Sequence, residues 1–101
     1  MAEPRTRTVV QAPRFGRSKK RLPAAAQLQI DEAAKGLLAD PLSGEPKTGA
    51  LKGVRVTRFK VGPQQLLLAY QLDAKRNMIE ILEVGPHGNF YRELQKYLDA
   101  R

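Results

Sequence analysis

The chain has 101 residues, 42% of them hydrophobic and 28% charged, with a net charge of +8; that suits one soluble domain with a single core. With no cysteine and one histidine, a disulfide framework, a thiolate zinc site and a His-rich metal centre are excluded. No apolar run approaches the roughly 18 residues of a membrane span, and the basic N-terminus lacks the apolar segment of a secretory signal, so a cytoplasmic protein with no membrane association is expected.

Residues 1–5 are expected to be frayed. Thr6 to Ala12 reads as a short strand, rich in β-branched Thr8, Val9 and Val10 and ended by Pro13. Pro13 to Leu22 suits a helical turn or two, with proline at a permitted first position. Pro23 opens a second helix that runs to about Ala39. Its Leu28, Ile30, Ala33, Ala34, Leu37 and Leu38 are expected to form a core-facing stripe. Asp40-Pro41 stops it, because the residue before proline avoids the α region.

Residues 41–50 are turn-rich and read as a loop. Three strand-like runs follow, Leu51 to Val61, Gln65 to Leu72 and Met78 to Val84, separated by Gly62-Pro63-Gln64 and by the polar Asp73–Asn77 stretch. The leucine-rich second run has the length of a strand buried on both faces. Asn89 is the candidate N-cap of a last helix to about Ala100. The order β-α-α-β-β-β-α predicts a single α+β domain spanning 1–101: an antiparallel sheet, made of a three-strand meander plus the N-terminal strand, with helices covering one face.

Positive charge is concentrated in two blocks. Residues 1–22 carry Arg5, Arg7, Arg14, Arg17, Lys19, Lys20 and Arg21 against Glu3 alone, and residues 47–60 carry Lys47, Lys52, Arg55, Arg58 and Lys60 with no acid among them. Such blocks call for a polyanion, either nucleic acid or an acidic protein. No Gly-rich phosphate loop, nucleophile elbow, HExxH or metal-spaced carboxylate cluster is present, so neither a metal nor an organic cofactor is expected. A phosphodiester cut without metal needs a base for the 2′-OH, cations for the pentavalent phosphorus, and an acid for the leaving 5′ oxygen. His87, Tyr91, Lys47 and Lys60 are the candidates for that work. A lysine can act as a base only where its pKa is depressed.

His87 lies in the turn Gly85-Pro-His-Gly-Asn-Phe-Tyr-Arg-Glu-Leu94, between the last strand and the last helix. Together with Lys60-Val-Gly-Pro-Gln-Gln-Leu-Leu-Leu-Ala-Tyr70, Asp40-Pro-Leu-Ser-Gly-Glu45 and Leu51-Lys-Gly53, this segment resembles the RelE/ParE superfamily of type II toxins. The YafQ-like and RelE/StbE-like branch is the most similar, over about Thr6 to Leu98. The resemblance implies a small basic toxin neutralised by a cognate antitoxin. In RelE-like members the activity is metal-free cleavage of mRNA in the ribosomal A site; ParE-like members inhibit DNA gyrase.

Carried over by position, His87 falls on an acid–base histidine and Tyr91 on an aromatic that holds a base. Lys60 and Lys47 stand where that branch has further histidines, and Gln64 where it has an aspartate. The strand arginine of RelE-type toxins is missing from Gln64-Gln65-Leu66-Leu67. Lys52, Arg55, Arg58, Gln64 and Arg92 are candidate RNA contacts. The expected function is a ribosome-dependent mRNA endonuclease. A gyrase inhibitor and a catalytically degenerate antitoxin-binding module are the alternatives.

Overall fold

A computed structural model describes residues 7–101. The expected frayed segment 1–5, and Thr6 at the head of the first strand, lie outside the described residues. The elements are β1 (Thr8–Gln11), α1 (Pro13–Lys20), α2 (Ala24–Ala39), β2 (Glu45–Pro46), β3 (Val54–Val61), β4 (Gln64–Asp73), β5 (Met78–Gly85) and α3 (Phe90–Ala100). Among the described residues no helix is long and apolar enough to cross a membrane.

The meander β3-β4-β5 forms as the sequence predicts, within a sheet ordered β1-β5-β4-β3-β2. Its first turn is two residues long, with Gly62 at φ +58°, a conformation that glycine adopts without steric cost. The sheet as a whole is mixed, not antiparallel. β1 lies parallel to β5, from Thr8 opposite Met78 to Gln11 opposite Ile81. The physical reason is the connection: a parallel pair needs a long crossover, and here α1, α2 and the rest of the meander separate the two strands in the chain. The loop expected over 41–50 also contains a strand, because Glu45 and Pro46 pair with Val56 and Arg55 of β3.

The helices cover both faces of the sheet, not one. Phe15 of α1 and Ile30 and Leu37 of α2 pack against Leu68, Tyr70, Ile79, Ile81 and Val84. On the opposite face, Phe90 and Leu94 of α3 pack against Val54, Val56, Leu67, Ala69 and Leu82. β4 alternates between the two layers, so Leu66 to Tyr70 are buried without interruption, as its apolar run requires. A bulge in β5 sets Ala69 opposite Glu83 and Tyr70 opposite Ile81. The extra residue, Leu82, returns Val84 to the α1–α2 side. Each fully buried Leu, Ile, Val or Phe side chain among them is worth about 1.5–3 kcal/mol. On α2 the buried residues are Ala26, Ile30 and Leu37. Leu28 is 66% exposed, because two residues of helix turn it about 200° away from Ile30.

Two devices fix the elements that carry the site. Tyr70 is fully buried, and its hydroxyl donates to the Pro41 carbonyl (2.8 Å) and accepts from the Gly44 N–H (2.9 Å). A Cβ on Gly44 would lie 2.5 Å from that hydroxyl, so only glycine allows the loop to close on Tyr70. Tyr70→Phe leaves the Gly44 N–H buried without its partner and should cost about 1–3 kcal/mol. Urea unfolding of the two proteins measures the difference.

The second device holds α3. The Arg101 guanidinium bonds both carboxylate oxygens of Glu80, at 2.6 and 3.0 Å. Arg14 and Arg101 each lie over the Tyr97 ring, 5.6 and 5.7 Å from its centroid. Arg14 in turn pairs at 2.5 Å with the buried Glu83, giving that carboxylate the partner that burial demands.

Candidate functional site

The site forms where the end of β5 and the start of α3 meet β2 and β3. Gly85 ends β5, and the turn through His87 brings Phe90 N–H onto the His87 carbonyl at 2.9 Å. Asn89 occupies the N-cap position, but its side chain makes no capping hydrogen bond. Phe90 is buried, while Tyr91 is half-buried beside it. Their rings meet edge to face, with centroids 5.5 Å apart. The exposed His87 ring also meets the Tyr91 ring edge-on, at 5.7 Å and 79°. This T-shaped stacking holds the imidazole at the mouth of the site.

Opposite the ring stands Lys47. Its N–H donates to the Val54 carbonyl at 2.9 Å, which extends the β2–β3 pairing by one residue. Strand alternation then puts Glu45 and Lys47 on the same side. The Lys47 ammonium lies 4.8 Å from the Tyr91 ring centroid, a cation–π contact. It also pairs with Glu45 at 2.6 Å. Glu45 faces Val56 across the strands, and Arg58, two residues further along β3, reaches the second Glu45 oxygen at 3.4 Å. The Tyr91 hydroxyl is shielded from solvent and has no hydrogen-bond partner among the described residues.

The electrostatics follow from these contacts. The Glu45 hydrogen bond raises the Lys47 pKa above its ordinary value; partial desolvation opposes it, and Tyr91 adds smaller contributions. Lys47 and Arg58 together hold the Glu45 carboxyl below its usual range. The lysine base considered from sequence needs a depressed pKa, and Lys47 is shifted the other way. It is a fixed positive charge. The side chains gathered here can hold an anion between Lys47 and Arg58, offer an aromatic face, and present an imidazole.

The remaining candidates divide. Lys60 shares a face with Arg58 by alternation, pairs opposite Gln65, and is exposed close to the Gly62 turn. Gln64 is exposed at the start of β4, Arg92 is exposed on α3, and Lys52 is exposed ahead of β3. Arg55 points to the opposite face and is occupied there. It bonds the carbonyls of Leu42 (3.1 Å) and Gly44 (2.8 Å), and it sits directly across from Tyr70. Arg55 and Tyr70 thus pin the loop that delivers Glu45 and Lys47. The basic 47–60 block is acid-free in sequence only, since Glu45 stands among its cations in space. The Glu45-x-Lys47 spacing was the available signal, hidden by the turn-rich residues around it.

Among the described residues no group of three or more His, Cys, Asp or Glu side chains converges. An open cavity of about 600 Å³ lies around the β4–β5 turn, lined by Gln71, Asp73, Arg76, Met78 and Glu80 among others, and includes none of the candidate site residues.

Comparison with known proteins places the fold and the family. No curated protein is a significant sequence match. The toxin–antitoxin complex RelBE2 from Mycobacterium tuberculosis superposes with a TM-score of 0.72 at 25% identity, covering 81% of this chain and 99% of the other. A doubly substituted Escherichia coli toxin RelE in the free state gives 0.73 at 14% identity, covering 93% and 99%. The archaeal RelE–RelB complex from Pyrococcus horikoshii gives 0.60 at 21% identity, covering 83% and 98%. Residues 9–95 match the model of the ParE-like toxins of type II bacterial toxin–antitoxin systems. The chain belongs to that family and is a toxin of the RelE/ParE superfamily with a RelE-like fold.

Proposed function

We propose that this toxin is an mRNA endonuclease acting on the ribosome, in the cytoplasm, and that a cognate antitoxin neutralises it. The observation that carries the reading is the convergence of His87, Tyr91, Lys47 and Arg58 on one solvent-open face. Lys47 and Arg58 stabilise the charge that develops on phosphorus as the 2′-oxygen attacks. Tyr91 presents its ring to a base of the message. His87 gives a proton to the departing 5′ oxygen, and the attacking 2′-OH gives up its own proton to solvent water. Lys60, Lys52, Gln64 and Arg92 contact the RNA backbone further out. Arg55 is left to support the loop. The similar RelBE2 and RelE–RelB structures are toxin–antitoxin complexes, which supports a partner of that kind here, bound through a helix in a groove or an added strand.

A second reading, inhibition of DNA gyrase, has one feature in its favour: β4 offers no cation at Gln64, Gln65, Leu66 or Leu67. Expression of the toxin followed by primer extension on a cellular mRNA separates the two. Cuts at codon boundaries are expected. An intact message in growth-arrested cells, with supercoiling blocked by the purified protein, would instead establish the gyrase reading. Unimpaired growth would leave only an antitoxin-binding role.

A further inference from the structure

The carboxylate of Glu45 has an arrangement that the cleavage chemistry above does not use. One of its oxygens takes Lys47 at 2.6 Å and the other takes Arg58 at 3.4 Å. A phosphodiester has the same valence for such a pair, one negative charge shared over two terminal oxygens. We propose that Glu45 is an internal stand-in for the substrate phosphate, bridging Lys47 and Arg58 until a phosphodiester takes over both cations. This rests on the RNA-cleavage reading, in which those two cations hold the phosphate.

Three features support the assignment. The Glu45 side chain is 54% exposed, so the bridge can open into solvent with little loss, as exposed ion pairs do. Glu45 lies on the two-residue edge strand β2, and opening the bridge leaves the core untouched. Its cationic neighbours also hold the carboxyl below the usual range, which suits a counter-ion better than a proton acceptor. The consequence is discrimination. A lone phosphate must compete with a tethered carboxylate at high effective concentration. A strand that also contacts Tyr91, next to Lys47, brings binding energy that a lone phosphate lacks.

The test compares the whole protein with Glu45→Gln and Glu45→Ala, and uses Glu32→Gln, which removes a charge on the outer side of α2, as the control. Affinity for a non-cleavable 2′-O-methyl RNA hexamer is read by fluorescence anisotropy at low salt. Inorganic phosphate is titrated in parallel, followed by the amide signals of residues 47 and 58. Both Glu45 variants should bind the hexamer about twofold to tenfold more tightly than the wild type, the worth of exposed ion pairs. They should also respond to phosphate at lower concentration, while Glu32→Gln changes neither. Equal hexamer affinity in wild type and variants overturns the stand-in and leaves the RNA site intact. So does a loss of turnover at unchanged affinity, which would make Glu45 a proton acceptor. A sharpened phosphate response with no hexamer binding by any variant overturns the substrate stand-in and makes Glu45 a plain counter-ion, while the ribosome-dependent reading is judged by cleavage of ribosome-bound message.

Discussion

His87→Ala should lower message cleavage by about 10²–10⁴-fold, the usual contribution of a positioned acid or base, while leaving the protein folded. The imidazole is exposed and its ring touches Tyr91 from outside, so its removal opens no core cavity. The two effects are therefore separable. Cleavage rate is measured on ribosome-bound message, and thermal unfolding is measured on the same preparations. A variant that melts with the wild type but cuts at the wild-type rate would remove His87 from the chemistry. Tyr91 would then be left as an aromatic contact without an acid beside it.

Leu94→Ala should cost about 2–5 kcal/mol, the range for a large aliphatic side chain lost from a packed core. Leu94 is fully buried and, with Phe90, forms the contact of α3 with Val54, Val56, Leu67 and Leu82. Its loss reaches the site as well, because Tyr91 rides on the same helical turn and the Lys47 contact depends on where that turn sits. The urea midpoint reports the first effect. If the midpoint stayed at the wild-type value, α3 would be held chiefly by Arg101–Glu80 and the Tyr97 cation–π pair, not by its apolar face.

Much of the fold is legible in local sequence. Gly62-Pro63 and the polar 73–77 stretch delimit the meander, and the length of the β4 apolar run identifies it as a strand. That run also held the clue to a second helical layer, since a strand apolar on both faces needs cover on both. Placing every helix on one face overlooked it. The direction of β1 was not legible. Val9 and Val10 encode a strand, but whether it runs parallel or antiparallel depends on a partner about 70 residues away and on the helices between.

The site was legible in the same uneven way. His87 and Tyr91 are four residues apart at a helix start, so local geometry brings them together. Lys47 and Arg58 meet through the β2–β3 register, which a two-residue strand does not announce. Arg55 and Arg58 look alike in sequence, yet alternation sends one to the Gly44 carbonyl and the other to Glu45. Charge alone cannot sort them.

The chemistry of the cut ends tests the central claim most directly. Ribosomes programmed with a defined message are incubated with the purified toxin, and the fragments are mapped and their termini identified. In-line attack by the 2′-oxygen predicts a 2′,3′-cyclic phosphate on the upstream fragment and a 5′-hydroxyl on the downstream one, with no cut where the target nucleotide is 2′-deoxy. An intact message, or cleavage that persists at the 2′-deoxy nucleotide, would contradict the account.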